Sequence, residues 1–569
     1  MRGRKLRAKR PGGWPLGVAL GLTVILAGCS EGGAPAASKP PAGPSAHAAA
    51  AASAAAESAA TDATSATVAK AAWDADEQPS TVYYEIFVRS FYDSDGDGIG
   101  DLKGVAEKLD YLKELGVGGI WLMPVNPSPS YHGYDVTDYY SVNPDYGTMD
   151  DLRNLVAEAH RRGIKVILDL VVNHTSSEHP WFKQALADPN SPYRSWYTFA
   201  TAGEQVPADS AAGSGSPWHE AGGGTRYLGI FSEAMPDLNY DEPAVREEMI
   251  KVGKFWLAQG VDGFRLDAAK HIYGDFASTV HSPEVAQNNL AWWRQFRSGL
   301  TEVDPNVYLV GEVWDSASVI APLLNQALDS AFNFELADRI LSAADRETDP
   351  DVAFTLKRVY GAYETASKGA FVDAPFLSNH DQNRTMSVLG GDVDHAKMAA
   401  SVLLTLPGNP FLYYGEEIGM RGMKPDESIR EPMIWYAGAA GGAGQTTWEP
   451  VRSNKDGAVS VEAEDKDESS LLNHYRMLLQ WRGEDAVLRD GSIDEFETDS
   501  PGIGAYVRMT RSERELVVLN MSGRKQSVKL DGSGKYGAFT SIVHAGSKDG
   551  VALRDGTLTL PPYTTAVLR

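Results

Sequence analysis

From Thr81 onward, short apolar runs recur along the chain, separated by stretches whose apolar positions return every three or four residues. Eight runs read as strands: VYYEIFV (82–88), GGIWLMPV (118–125), KVILDLVV (165–172), DGFRLDAA (262–269), VYLVGEVW (307–314), AFNFEL (331–336), APFLSN (374–379) and PFLYYGEE (410–417). Most are near-continuously apolar, as strands buried on both faces are. The stretches between them, such as LKGVAEKLDYLKELG and REEMIKVGKFWLAQG, have the periodicity of amphipathic helices. Strands alternating with helices predict a parallel sheet covered by helices, and eight such units predict an α/β fold, the (β/α)8 TIM barrel.

The rhythm breaks in three places. Residues 173–240 lack a helix of normal length and are rich in Gly, Ser, Pro and aromatic residues, so they read as a small domain inserted after the third strand. The barrel is then expected over 79–172 and 241–489. Residues 490–569 turn to short β-like runs (GAYVRM, ELVVLN, TLTLPPYTTAVL), which predict a C-terminal antiparallel β-sandwich. At the other end, residues 29–78 are mostly Ala, Ser, Pro and Gly with almost no large apolar side chain. Such a segment cannot bury enough surface to offset its ordering entropy and reads as a flexible tether; transient helix in its alanine runs is the alternative.

Composition narrows the class. Of 569 residues, 43% are hydrophobic and 9% aromatic, enough for large cores, while the formal charge of −24 disfavours nucleic acid and anionic lipid as partners. Residues 1–28 run against that charge, with six basic residues and no acid. A basic stretch ending at Arg10 precedes the apolar run Trp14–Ala27, which is too short to span a bilayer and reads as the core of a signal peptide. The chain's one cysteine, Cys29, excludes an intramolecular disulfide. Leu26-Ala27-Gly28-Cys29 resembles a bacterial lipobox, which implies lipidation of Cys29, contact with the membrane through that anchor alone, and residence at the extracellular face of the cell envelope.

Polar residues gather at the C-terminal ends of the predicted strands: Asp169, Asn173 and His174 at the third, Arg265, Asp267, Lys270 and His271 at the fourth, Glu312 at the fifth, and Asn379, His380 and Asp381 at the seventh. In a barrel these ends share the face on which active sites are built. A lone acid at a strand end is more often a helix cap; four carboxylates and three histidines at four ends call for a common purpose.

The segments DLVVNH, GFRLDAAKH, GEVW and FLSNHD resemble, in order, the four characteristic regions of the α-amylase family of glycoside hydrolases, and the resemblance runs from about Pro79 to the C-terminus. It implies Asp267 as nucleophile, Glu312 as general acid/base and Asp381 as the third carboxylate, which binds sugar hydroxyls. His174 and His380 would donate hydrogen bonds to the sugar being cleaved, Tyr134 of HGYDVTDYY would stack beneath it, and Lys270 and His271 would contact the leaving-group side. Arg265 lies two residues before Asp267, hence on the same strand face, and its charge is expected to keep Asp267 ionised, with Asp169 orienting it. Glu312 is expected to carry a raised pKa, as a general acid requires.

The loop DSDGDGIGD places Asp93, Asp95, Asp97 and Asp101 together. Clustered carboxylates repel unless a hard cation joins them, and Ca²⁺ favours such oxygen ligands. A full EF-hand fails, because its twelfth position is Gly104; a solvated acidic turn is the alternative. The family resemblance adds the Ile99 carbonyl to this site and implies a second Ca²⁺ held by Asn173, Asp237 and the His271 carbonyl.

The same resemblance implies a retaining, endo-acting enzyme that hydrolyses α-1,4-glucosidic bonds in starch, glycogen and maltooligosaccharides; a monomer is expected, though no feature of the sequence fixes the oligomeric state. AAKH after the nucleophile favours that reading, and Trp314 could add a sugar platform or serve the core. MPDLN (235–239) and REPMIW (430–435) keep oligo-1,6-glucosidase, α-glucosidase and neopullulanase specificities open. A non-catalytic glucan-binding lipoprotein fits least, since binding alone needs neither nucleophile nor acid.

Overall fold

The computed structural model describes residues 80–569 except 207–211, 213–214, 275–281, 439–440, 456–458, 531–534 and 548. The expected signal segment 1–28, Cys29 and the expected tether 29–78 lie outside the described residues.

The chain enters through β1 (Tyr83–Ile86), β2 (Gly119–Leu122) and β3 (Lys165–Leu170), all parallel neighbours. The inserted segment follows, with β4 (Phe199–Ala200), β5 (Trp218–Gly222) and β6 (Thr225–Leu228) in an antiparallel sheet of order β4-β6-β5. The parallel sheet resumes with β7 (Gly263–Leu266), β8 (Tyr308–Gly311), β9 (Ser330–Ala331) and β10 (Phe411–Tyr413), in the order β10-β1-β2-β3-β7-β8-β9. Parallel bridges Phe332–Ala374 and Phe376–Phe411 close the ring between β9 and β10. The architecture is the expected TIM barrel, with 374–376 as its thinnest stave.

One predicted strand is only half a strand. AFNFEL leaves the sheet after Ala331, because Asn333 accepts a hydrogen bond from the Leu336 N–H at 3.2 Å and caps the helix Phe334–Arg346. The apolar run reads as one element in sequence, and the cap residue divides it into two.

The helices outside the ring follow from their sequences. Thr148 and Asp151 form a capping box at the start of Met149–Arg161. Pro243–Leu257 opens on proline and buries Val245, Met249, Val252 and Trp256, a three- and four-residue spacing that faces the barrel. Gly116 ends Leu109–Leu115 with φ 102°, a left-handed conformation that glycine adopts without a Cβ clash and that turns the chain into β2.

Inside the ring, Tyr83, Trp121, Ile167, Tyr308, Val310, Phe332, Phe376 and Phe411 form a core, with Tyr83 stacked between Tyr308 and Phe411. Strand side chains alternate, so the position two residues on points the same way but nearer the C-terminal rim. There the sequence changes character: Tyr83 is followed by Glu85, Ile167 by Asp169, Gly263 by Arg265 and Asp267, and Tyr308–Val310 by Glu312. The apolar plug supports a polar layer.

Past the helix Ala486–Asp490 come β11 (Ser492–Glu495), β12 (Ile503–Met509), β13 (Arg514–Asn520), β14 (Gln526–Lys529), β15 (Ile542–Ala545), β16 (Ala552–Arg554), β17 (Thr557–Leu560) and β18 (Thr564–Leu568). They form two antiparallel sheets, β11-β12-β13-β18-β15 and β14-β17-β16, around a core that includes Val507, Leu516, Val518, Leu558 and Leu560. Tyr506 and Arg508 of β12 fasten this domain to the barrel at Thr405, through its hydroxyl and its carbonyl.

Candidate active site

Arg265, fully buried on β7, organises one half of the site. Its Nη1 donates to Asp169 Oδ1 at 2.9 Å and to Asp267 Oδ1 at 2.7 Å, while Nη2 lies 2.8 Å from Glu312 Oε2. One guanidinium therefore joins three carboxylates from three strand ends. The backbone fixes the same geometry: Ala268, next to Asp267, sits at φ 47° and donates its N–H to Glu312 Oε2 at 3.0 Å. A left-handed non-glycine residue is a strained one, and here it stands between Asp267 and the contact to Glu312.

The other half centres on Asp381. Its Oδ1 accepts from Arg430 Nη2 at 2.9 Å and its Oδ2 lies 3.1 Å from His380 Nε2. Arg430 also donates Nε–H to the His380 carbonyl at 2.9 Å. His380 stacks on Tyr134 with ring centroids 5.4 Å apart, and the Tyr134 hydroxyl lies 3.0 Å from Asp169 Oδ2 and 2.6 Å from His380 Nε2. Tyr134 thus joins the two halves.

Electrostatics separates the carboxylates. Burial raises the pKa of both Asp267 and Glu312, with Arg265 working against it in each. Arg265 pulls Asp267 toward the ionised form, as its place on the strand leads one to expect, but its single charge is divided among three buried acids and burial outweighs that pull. Asp381 goes the other way, because the cations His380 and Arg430 overcome its burial and hold it well below the usual carboxylate range.

A cavity of about 330 Å³ is lined by His132, Tyr134, His174, Asp267, Glu312 and Asp381 among others. A second, of about 280 Å³, is lined by Lys270, His271 and Trp314 and shares Phe231, Ala268 and Glu312 with the first. Glu312 therefore faces both. Lys270 Nζ reaches the Trp314 carbonyl at 2.9 Å and Asp315 Oδ2 at 3.0 Å. Trp314 is 52% exposed with one face stacked on Phe334 at 4.4 Å, so it is not a core residue. His174 borders the first cavity, but its Nε2 lies 3.1 Å from the Tyr134 carbonyl, and burial lowers its pKa to about 4, leaving a neutral ring.

The acidic loop brings Asp93, Asp95 and Asp101 together, with oxygens all within 4.8 Å of one another. Asp97 stays outside this group: its Oδ1 accepts the Ile99 N–H at 2.7 Å, a local turn that points the carboxylate along the loop. Among the described residues no basic side chain pairs with the three; backbone N–H groups and Ser94 meet their charge. Three oxygens without a counter-charge fit a hard cation such as Ca²⁺. At the second candidate site, among the described residues buried Asp237 accepts from the neutral groups Asn173 Nδ2 and Ile230 N, both at 3.2 Å, and burial raises its pKa to about 8. A cation would meet the charge of that buried carboxylate, with the Asn173 amide turned to present oxygen instead of nitrogen.

Sequence reasoning missed two charged residues. Glu85 touches His380, and its signal was the lone acid in VYYEIFV. Arg430 was noticed only as part of REPMIW, a marker of specificity, though it holds Asp381.

Four carboxylates at the C-terminal rim of a TIM barrel, arranged around two guanidinium groups and one histidine, define a carbohydrate-cleaving site of the paired-acid kind. The chain matches the alpha amylase catalytic domain over residues 85–491 and the alpha-amylase SusG C-terminal domain over 503–567; it belongs to the α-amylase family of glycoside hydrolases. It is 43% identical to alpha-amylase 3 of Dictyoglomus thermophilum over 494 residues, covering 86% of this chain and 93% of that one. An oligo-1,6-glucosidase of Parageobacillus thermoglucosidasius is 33% identical, with 79% and 91% covered. Among solved structures, the alpha-amylase of H. orenii superposes with a TM-score of 0.79 at 47% identity, covering 86% of this chain and 99% of that one.

Proposed function

We propose that this protein hydrolyses internal α-1,4 bonds of starch-like glucans with retention of configuration. The observation that carries the reading is the single Arg265 guanidinium in contact with both Asp267 and Glu312 where two adjoining cavities meet. Asp267 has the well-aligned hydrogen bond from Nη1, whereas Nη2 lies near Glu312 without a hydrogen bond's alignment. This difference in contact assigns the proton to Glu312 and the negative charge to Asp267.

In the first step Asp267 attacks the anomeric carbon while Glu312 gives its proton to the departing glucosidic oxygen. In the second, Glu312 takes a proton from water, whose oxygen displaces Asp267. Asp381, held ionised, accepts from sugar hydroxyls and opposes the positive charge of the oxocarbenium-like transition state. Because Glu312 faces both cavities, glucan can extend to either side of the bond, which suits internal cleavage. The two α-amylases among the relatives support α-1,4 specificity; the oligo-1,6-glucosidase supports a second reading, cleavage of α-1,6 bonds in short substrates.

Soluble starch, pullulan and isomaltose, digested side by side, test the choice. Mixed maltooligosaccharides with rapid loss of iodine colour are expected; glucose as the main early product, or preference for isomaltose, would sink the endo-amylase reading. We further propose a lipid anchor on Cys29 and a bound Ca²⁺ at Asp93, Asp95 and Asp101, where the ion would supply positive charge that ties the loop after β1. A Cys29→Ser chain that still takes up labelled acyl groups would sink the anchor.

A further inference from the structure

We propose that Glu85 is a positioning residue that holds His380 with a proton on both ring nitrogens, so that the imidazolium keeps Asp381 ionised and aimed at substrate. Glu85 Oε1 lies 2.6 Å from His380 Nδ1, and Asp381 Oδ2 lies 3.1 Å from Nε2 on the opposite edge of the ring. A neutral imidazole can donate from one nitrogen only, and its other lone pair would face a carboxylate. Two carboxylates on opposite edges match the doubly protonated ring, in which case the Tyr134 hydroxyl at Nε2 gives its own proton to Asp169.

Arg430 also meets Asp381, whereas among the described residues His380 is the side chain that meets Glu85. Glu85 and His380 are buried, Glu85 by β1 between Trp121 of β2 and Tyr413 of β10, its partners in register. The Trp121 ring meets the edge of His380 at 5.6 Å. Among the described residues, the other charged or titratable groups around the imidazole are Tyr134 from the loop after β2, Asp169 of β3, Arg265 of β7 behind the Trp121 and Tyr134 rings, Asp267 after β7, and Arg430, which touches the His380 carbonyl. Acids outnumber cations there. Burial by itself would lower the His380 pKa, but Asp381 and Glu85 override it and lift the value to about 9. The sign follows: the charge is in place at neutral pH and is lost as pH rises through about 9.

This inference rests on the glycosidase reading only for its effect on turnover; the protonation itself is independent. The test uses the full chain carrying ¹⁵N-labelled histidine, with the His380 signal identified by its absence from His380→Asn. At pH 7.5 the parent is expected to show both His380 nitrogens protonated, and a neutral His380 ring would overturn the proposal. Glu85→Gln keeps an acceptor for Nδ1–H but removes the charge. It is expected to lower the His380 pKa by about one unit or more, an approximately tenfold change in the protonation equilibrium. With it, the alkaline limb of kcat/KM on maltoheptaose should move to lower pH. An unchanged titration in a variant of parental Tm would also overturn the proposal. If the parent cleaves no glucan, the glycosidase reading fails and the titration still decides the role of Glu85.

Discussion

Arg430 Nη2 lies 2.9 Å from Asp381 Oδ1, and the same side chain clasps the carbonyl of His380. The contact joins the segment after the last barrel strand to the third carboxylate of the site. Arg430→Lys should keep a positive charge but lose this two-point grip, since an ammonium cannot reproduce the guanidinium fork. We expect kcat/KM on maltooligosaccharides to fall by ~10²-fold, the scale of losing one preorganised electrostatic contact. A parental kcat/KM would show that Asp381 needs no such support.

Trp314 offers an exposed ring beside the cavity that holds Lys270 and His271, with its other face already taken by Phe334. A flat aromatic surface suits the C–H face of a pyranose. Trp314→Ala should raise KM for long maltooligosaccharides by roughly fivefold, the size of ~1 kcal/mol of stacking, and leave the shortest substrates less affected. Equal effects at every chain length would remove the ring from the substrate path.

Removing divalent metal should lower Tm, because an ion that binds only the folded loop stabilises it by mass action, by ~2.7 kcal/mol at a hundredfold excess over Kd. Asp93→Asn should lower Tm in the same way and make it insensitive to chelator, since Asp93 is one of the three grouped carboxylates. A melting curve unchanged by verified metal removal would leave the loop as a solvated turn.

Glu416 gives a stability test away from the chemistry. It is buried with only hydroxyl donors, Tyr475 at 2.9 Å and Thr385 at 3.0 Å among them, and burial raises its pKa to about 7. The folded chain thus keeps this proton where the unfolded chain has released it. Stability from this group falls as pH rises from the ordinary glutamate range through about 7, at roughly 1.4 kcal/mol per unit. Glu416→Gln should remove that slope, so the variant's Tm gains on the parent's between pH 5 and pH 8. A constant difference would mean that Glu416 is already ionised in the folded chain.

Much of this was legible before any coordinates. Apolar runs marked the barrel strands, and Asp169, Arg265, Asp267 and Glu312 stood at strand ends because the period of two carries them onto one rim. The unread parts depend on closure of the ring. Glu85 meets His380, and Arg430 meets Asp381, only once β1 and the segments around 380 and 430 come together; no local pattern encodes those separations. AFNFEL failed for the opposite reason, since a purely local cap at Asn333 overrode an apolar run. Asp97 looked equivalent to its neighbours in sequence, and a single turn to Ile99 set it apart.

The division of labour between Asp267 and Glu312 is tested most directly by fluoride release from α-maltosyl fluoride, whose leaving group needs no proton. Glu312→Gln, inactive on starch, should give a burst of about one fluoride per enzyme and then stall for want of a base. Asp267→Asn should give none. A burst from Asp267→Asn and silence from Glu312→Gln would contradict the assignment of nucleophile and acid.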